Sequence, residues 1–199
     1  VAVKLHDIPV FDKPVDMALL RNILETARHA PSGGNVQPWQ VTVLTGESLT
    51  HLRTAMQGAM ATPQTPEYRI YPADLPDPWR NRRGANGEAL YGALGIGRED
   101  KAARMQQMAR NFDFFGAPVG LFLHMPKFMG PPQWADLGIW LQTVMLLLVE
   151  AGLGSCAQEA WSIYPEAVKQ VAQIPDDHLL FCGLAIGWPD PDAPVNRLA

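Results

Sequence analysis

The feature that most constrains the fold is an apolar run from 137 to 149, bracketed by Asp136 and Glu150 and interrupted by a single amide, Gln142. A bilayer span needs about 20 apolar residues, so this run is too short to cross a membrane. It is expected to form a helix buried in a core or an interface. Pro131 and Pro132 introduce it and Gly152-Leu153-Gly154-Ser155 break it, which places the helix at about 134–151. Gln142 has two readings: it satisfies an interface hydrogen bond, or it approaches a binding site.

Other elements follow from periodicity and punctuation. Residues 17–30 read as an amphipathic helix, with Leu20, Ile23, Leu24 and Ala27 at helical spacing and Asp16 as N-cap. Pro31 disfavours helical geometry at Ala30 and ends it. Residues 39–45 read as a strand closed by Gly46, and 49–60 as a second helix. The stretch 62–87 carries five prolines, at 63, 66, 72, 76 and 78, and reads as a long loop of the kind that lines binding sites. Residues 98–115 read as a helix and 119–124 as an apolar strand. A short segment at 156–159 and a short helix at 165–173 follow. Residues 179–186 form a continuous apolar strand of the type buried on both faces. The tail 189–194 reads as extended and leaving the core. Helices interleaved with few strands point to an α+β sandwich with helices on both faces of a sheet.

Composition narrows the function classes. A chain of 199 residues that is 47% hydrophobic and 18% charged suits one compact domain spanning 1–199. A formal charge of -4, with no Lys- or Arg-rich run, argues against nucleic-acid or membrane partners. Cys156 and Cys182 have neither CxxC spacing nor flanking histidines. They read as buried thiols in a reducing compartment, so a cytoplasmic location and no metal site are expected. The chain opens on Val1 rather than methionine, so terminal segments are expected to be missing.

The chemistry is concentrated where the first helix meets the first strand, at Pro31-Ser32-Gly33-Gly34-Asn35-Val36-Gln37-Pro38-Trp39. Two glycines permit positive φ and close backbone approach to a ligand. Ser32, Asn35 and Gln37 supply donors and acceptors around the bend. An ordinary turn whose Asn and Ser satisfy their own backbone has the same composition.

A helix, then P-S-G-G-N-x-Q-P-W, then a strand resembles the flavin-binding signature of the nitroreductase family. Downstream support comes from Gly152-Leu153-Gly154-Ser155-Cys156-Ala157-Gln158 after the apolar helix. The strand ending in Gly187-Trp188-Pro189 and the segment Asn196-Arg197-Leu198 agree with it too. Tyr91-Gly92, Gly97-Arg98 and Arg110-Asn111-Phe112 make the nitrobenzoate-reductase-like branch the nearest in character. The resemblance implies a three-layer sandwich, a mainly antiparallel sheet flanked by helices, in an intertwined homodimer. It also implies FMN at the interface, reduced by NADH or NADPH in ping-pong fashion, with a small nitroaromatic or quinone-like acceptor. Flavin-binding residues carried over are Ser32, Asn35 and Gln37, the backbone N–H groups of Ala157, Gln158 and Glu159 facing N5 and O4 of the ring, and Arg197. No catalytic side chain is expected, because the flavin carries the chemistry. Phe128 and Trp134 lie in a segment able to cap the ring, and Arg82 is the candidate guide for an anionic substrate.

The family's R-x-S-x-R stretch, which grips the FMN phosphate, has no counterpart here. His6, Asp7, Ile8, Pro9 and Val10 occupy that place. Lys4, His6, Lys13, Arg28 and Arg197 are the candidate replacements. This departure keeps two alternatives in view: a flavin-dependent reductive dehalogenase or specialised oxidase, and a non-catalytic relative that binds flavin or another ligand. Gly95-Ile96-Gly97 lacks a third glycine and a preceding strand, so it is not a dinucleotide fingerprint. His29 and His124 sit in apolar sequence with no nucleophile-and-acid pattern around them.

Overall fold

The computed structural model describes residues 13–198. Helix α1 (Met17–Ala27) starts where Asp16 accepts the Ala18 N–H at 2.8 Å, and it buries Leu20, Ile23 and Ala27 on one stripe. The bend before Pro31 releases the chain into strand β1 (Gln40–Thr45). Helix α2 (Gly46–Ala59) follows, its entry held by Ser48 Oγ accepting the Thr45 N–H at 3.0 Å.

Between α2 and the second strand lies an excursion of helices α3 (Trp79–Ala93) and α4 (Lys101–Ala109), neither of which buries a residue. They are tied together by a two-pronged Arg104–Glu88 contact at 3.1 and 3.2 Å, and Arg104 also lies over the Tyr91 ring. Strand β2 (Val119–Pro126), helix α5 (Pro131–Glu150), strand β3 (Gly154–Gln158), helix α6 (Pro165–Ala172) and strand β4 (His178–Gly187) complete the order.

The sheet runs β1-β2-β4-β3 and every pairing is antiparallel. On one face α1 and α5 cover Leu121, Leu123, Leu184 and Ile186; on the other, α2, α6 and two 3₁₀ turns cover Phe122, Leu180 and Ala185. This is the three-layer α+β arrangement expected from the sequence. Leu180 and Cys182 would share a face on a regular strand. Here they face opposite cores, because the β2–β4 register shifts between Leu123 and His124 and leaves Phe181 as the extra residue of a bulge.

Close packing of sheet on ring explains two strand glycines. A Cβ at Gly120 would stand 2.3 Å from Phe114, and one at Gly183 would stand 2.2 Å from Trp161. Both aromatic rings are fully buried on bare backbone.

Three sequence expectations need correction. The stretch 62–87 is a loop only as far as Pro78; α3 then begins, since all five prolines precede it and Gly84 and Gly87 are tolerated on an exposed helix. The helix expected over 98–115 ends at Ala109, and Arg110–Gly116 is a 3₁₀ turn in which Phe114 and Phe115 adopt positive φ. The tail does not leave the core: it turns at Pro194–Arg197 and buries Ala193 and Val195. Among the described residues no helix is long and apolar enough to cross a membrane.

Candidate active site

The loop between α1 and β1 is a compact knot. Residues Gly33–Asn35 form a 3₁₀ turn, and Gly34, Asn35 and Gln37 have φ of 58°, 58° and 50°. Left-handed geometry is ordinary for glycine, tolerated by asparagine and costly for glutamine. The side chains hold the bend: Ser32 Oγ accepts the Gln37 N–H at 2.9 Å, and Gln37 Nε2 donates to Asn35 Oδ1 at 2.8 Å. Asn35 and Gln37 are nonetheless exposed, leaving the Asn35 amide nitrogen and the backbone of a glycine pair open to a ligand. Among the described residues one hydrogen bond ties the knot to the core, from the Gly33 N–H to Asp136 Oδ1 at 3.1 Å.

Gln37 also lines an apolar groove of about 450 Å³ between α1 and β1, with Leu20, Leu24, Trp39, Val41 and Trp140 among its walls. The Trp39 and Trp140 rings stack at 6.3 Å.

The second predicted segment is at the far edge of the sheet. Among the described residues strand β3 pairs with β4 alone, and its Ser155, Cys156 and Gln158 are 4%, 4% and 2% exposed. Ala157 is half-buried. The buried Gln158 side chain is spent internally, donating to the Asn111 carbonyl at 2.8 Å and accepting from Trp161 Nε1 at 3.3 Å. Glu159 follows at the start of a 3₁₀ turn, and burial raises its carboxyl above the usual range. In one chain β1 and β3 are three strand spacings apart, about 14 Å. The structure therefore does not bring Ser32, Asn35 and Gln37 together with 157–159 around a single ring.

Other expected site residues fall elsewhere. Arg197 is exposed, pairs with Asp192 at 3.4 Å, and sits in the tail turn that packs on α3. Arg82 belongs to α3 rather than to a loop and is exposed. Phe128 is 83% exposed in the β2–α5 turn, free to meet a ligand. The Trp134 ring is committed to packing, edge-on to Tyr68 at 5.1 Å and to Phe181 at 5.6 Å. The expected phosphate replacements do not converge: Lys13 lies over the Trp188 ring at 3.8 Å and Arg28 pairs with Glu25 at 2.7 Å. Lys4 and residues 6–10, including His6, lie outside the described residues. Gln142 is exposed in the isolated chain. His29 is exposed as well, contrary to the expected apolar setting.

Four features escaped the sequence reading. Asp136 marked the end of the apolar run, but nothing in the sequence paired it with Gly33. The Tyr68 hydroxyl donates to the Phe181 carbonyl, which the bulge frees from the ladder. His124 Nδ1 and His178 Nδ1 stand 2.8 Å apart, and His124 Nε2 is 3.3 Å from Thr42 Oγ1. Burial, with the nearby His178 and Lys169, pushes His124 down to about 4. Lys169 and Glu67 form a buried ion pair on the same side of the sheet.

The knot is the part of this arrangement that a ligand could approach from solvent. Its glycine pair admits close backbone approach, and the exposed Asn35 and Gln37 amides can meet polar atoms of a ligand. A nitrobenzene nitroreductase of Ectopseudomonas oleovorans is 35% identical over 194 residues, covering 94% of this chain and 84% of that protein. A 4-nitrobenzoate reductase of Pseudomonas putida is 36% identical over 185 residues, covering 93% and 82%. Among solved structures, an FMN and NADPH-dependent nitroreductase NfnB from Sphigopyxis sp. strain HMH superposes with a TM-score of 0.95 at 53% identity, covering 98% of this chain and 89% of that one. The nitroreductase family model matches residues 11–188, and with relatives this similar along almost its whole length the chain belongs to the nitroreductase family.

Proposed function

We propose that this chain is the subunit of an FMN-dependent oxidoreductase that passes electrons from NADH or NADPH, in ping-pong fashion, to a small nitroaromatic or quinone-like acceptor. The observation that carries the reading is the Ser32–Gln37 knot, a backbone bent through three left-handed residues with its amides held outward. The named relatives are nitroaromatic reductases, and the similar solved enzyme is FMN- and NADPH-dependent.

Bound FMN supplies the two-electron chemistry. The protein's part is to bind, orient and polarise. Asn35 and Gln37 present amides to the polar atoms of the ring, with Ser32 keeping the bend closed. The backbone N–H groups of Ala157 and Gln158 at the end of β3, and of Glu159 in the turn after it, would hold the part of the flavin where negative charge and a proton arrive on reduction. Phe128 reaches out as an acceptor-facing ring, and Arg197 remains a candidate for the cofactor's anionic end.

Because the two segments sit on opposite edges of one sheet, the reading requires a homodimer in which one subunit contributes 32–37 and the other contributes 157–159 to each site. The exposed Ile139, Gln142 and Leu146 of α5 and the bare surfaces of α3 and α4 are suited to that contact. Residues 1–199 act as one domain, in a reducing cytoplasm consistent with the buried thiols of Cys156 and Cys182, which form no disulfide.

The test is optical. Purified protein incubated with FMN should be yellow after desalting and bleach with NAD(P)H, and an Asn35→Ala, Gln37→Ala double variant should bind FMN about tenfold or more weakly. A wild-type protein that stays colourless after incubation with excess FMN sinks the reading.

A further inference from the structure

The geometry points to Asp136 as the positioning residue of the flavin-facing loop, an inference that rests on the function proposed above. The bonds inside the knot, Ser32 to Gln37 and Gln37 to Asn35, are local and cannot fix it relative to the sheet. Asp136 does: it reaches across 103 positions of sequence to take the Gly33 N–H at 3.1 Å.

The setting of this carboxylate is unusual. Asp136 is 5% exposed on α5, next to the buried Leu137 and one turn before the buried Trp140. Its Oδ2 has no hydrogen-bond partner among the described residues and stands 3.9 Å from where a Gly33 Cβ would be. For folding alone, a carboxylate buried and only half used is a poor choice, since a buried acceptor without a donor loses its hydration uncompensated. An aliphatic side chain would pack at the same place without that loss.

The arrangement makes sense as pre-organisation. After Gly33 the chain holds φ of 58° at Gly34 and Asn35 and 50° at Gln37, the last disfavoured for a glutamine, and a free loop would relax from this run. Pinning the Gly33 N–H to a rigid helix keeps the bend in its strained form before a ligand arrives, so that ligand binding need not order it. Asp136 touches the loop and acts on the ligand only through it.

Three variants test this in the full chain: Asp136→Leu and Asp136→Ala remove the acceptor, and Asp136→Asn keeps an amide oxygen for Gly33. Hydrogen exchange of the peptide covering 31–39 should accelerate about tenfold in the Leu and Ala variants. It should return close to wild type in the Asn variant, with exchange in β2 and β4 unchanged. FMN affinity, read by quenching of flavin fluorescence, should fall about tenfold with the same pattern of rescue. Unchanged exchange at 31–39 in both the Leu and Ala variants overturns the inference. Exchange that rises equally in β2 and β4 also overturns it, because Asp136 would then only support the fold. If the wild type itself holds no FMN, the proposed function fails, while the exchange comparison still decides whether Asp136 holds the loop.

Discussion

Replacing Gly183 by alanine probes the seam between the core and the open β3 edge. The new Cβ would stand 2.2 Å from Trp161 Cδ1, 2.6 Å from Nε1 and 3.1 Å from Phe114 Cε1. None of these atoms belongs to a flexible side-chain end. Trp161 is fully buried, its ring is packed edge-on to Phe112 and Phe122, and its Nε1 donates to Gln158. The ring must therefore move as a block or the strands must part. Overpacking of this kind costs about 1–3 kcal/mol. Breaking the Trp161–Gln158 bond adds about 1 kcal/mol, so a total near 2–4 kcal/mol is expected. For a chain of roughly this length each kcal/mol lowers Tm by about 2–4 °C, which predicts a fall of at least about 4 °C. Circular dichroism melts and urea titrations measure it, with Gly97→Ala as control, since a Cβ there meets nothing within 4 Å. Gln158 holds the outer strand in place, so Gly183→Ala is also expected to weaken FMN binding. A stability change under about 1 kcal/mol would refute the idea that bare backbone at Gly183 seats the indole.

Two further expectations concern other parts of the fold. His124 is held at about 4, against an ordinary value of 6.5, so the native state resists a proton that the unfolded chain accepts. Its contribution is fully present above about pH 6.5 and is lost as pH falls toward 4, by an amount on the order of 3 kcal/mol. His124→Gln should flatten the urea midpoint between pH 7 and pH 4.5 relative to wild type, and parallel profiles would count against this. On α3, Gly84 is exposed with open space around its Cα. Gly84→Ala should raise stability by about 0.5–1 kcal/mol through helix propensity alone; a loss in chemical denaturation would show that this face of α3 is covered by something that needs the glycine.

Much of the fold was legible because its main elements are strongly patterned. The stripe Leu20, Ile23, Ala27 announced α1, and the apolar runs announced α5 and β4. Helix α3 was hidden because its residues carry no apolar periodicity; it lies on the surface, held by Arg104 and Glu88 rather than by a buried face. The break at Arg110 was hidden for a different reason. Phe114 and Phe115 take left-handed backbone that local preference disfavours, and Phe114 offsets the cost by filling the space over Gly120 and Gly183. That bargain is tertiary and leaves no local signature. At the site, the loop was legible from Ser32, Gly33, Gly34, Asn35 and Gln37. Its link to Asp136 was not, because only the folded chain brings positions 33 and 136 together.

The position of β1 and β3 at the two margins of the sheet has a further consequence. Neither Gln40–Thr45 nor Gly154–Gln158 contains a charged residue or a proline, the usual guards against one strand adding to another. Val41 is moreover exposed on β1. Of the two margins β1 is the exposed template for intermolecular pairing, because Ser155, Cys156 and Gln158 of β3 are 4%, 4% and 2% exposed. A surface laid over β1, as in the dimer proposed above, would therefore also guard that edge against strand addition.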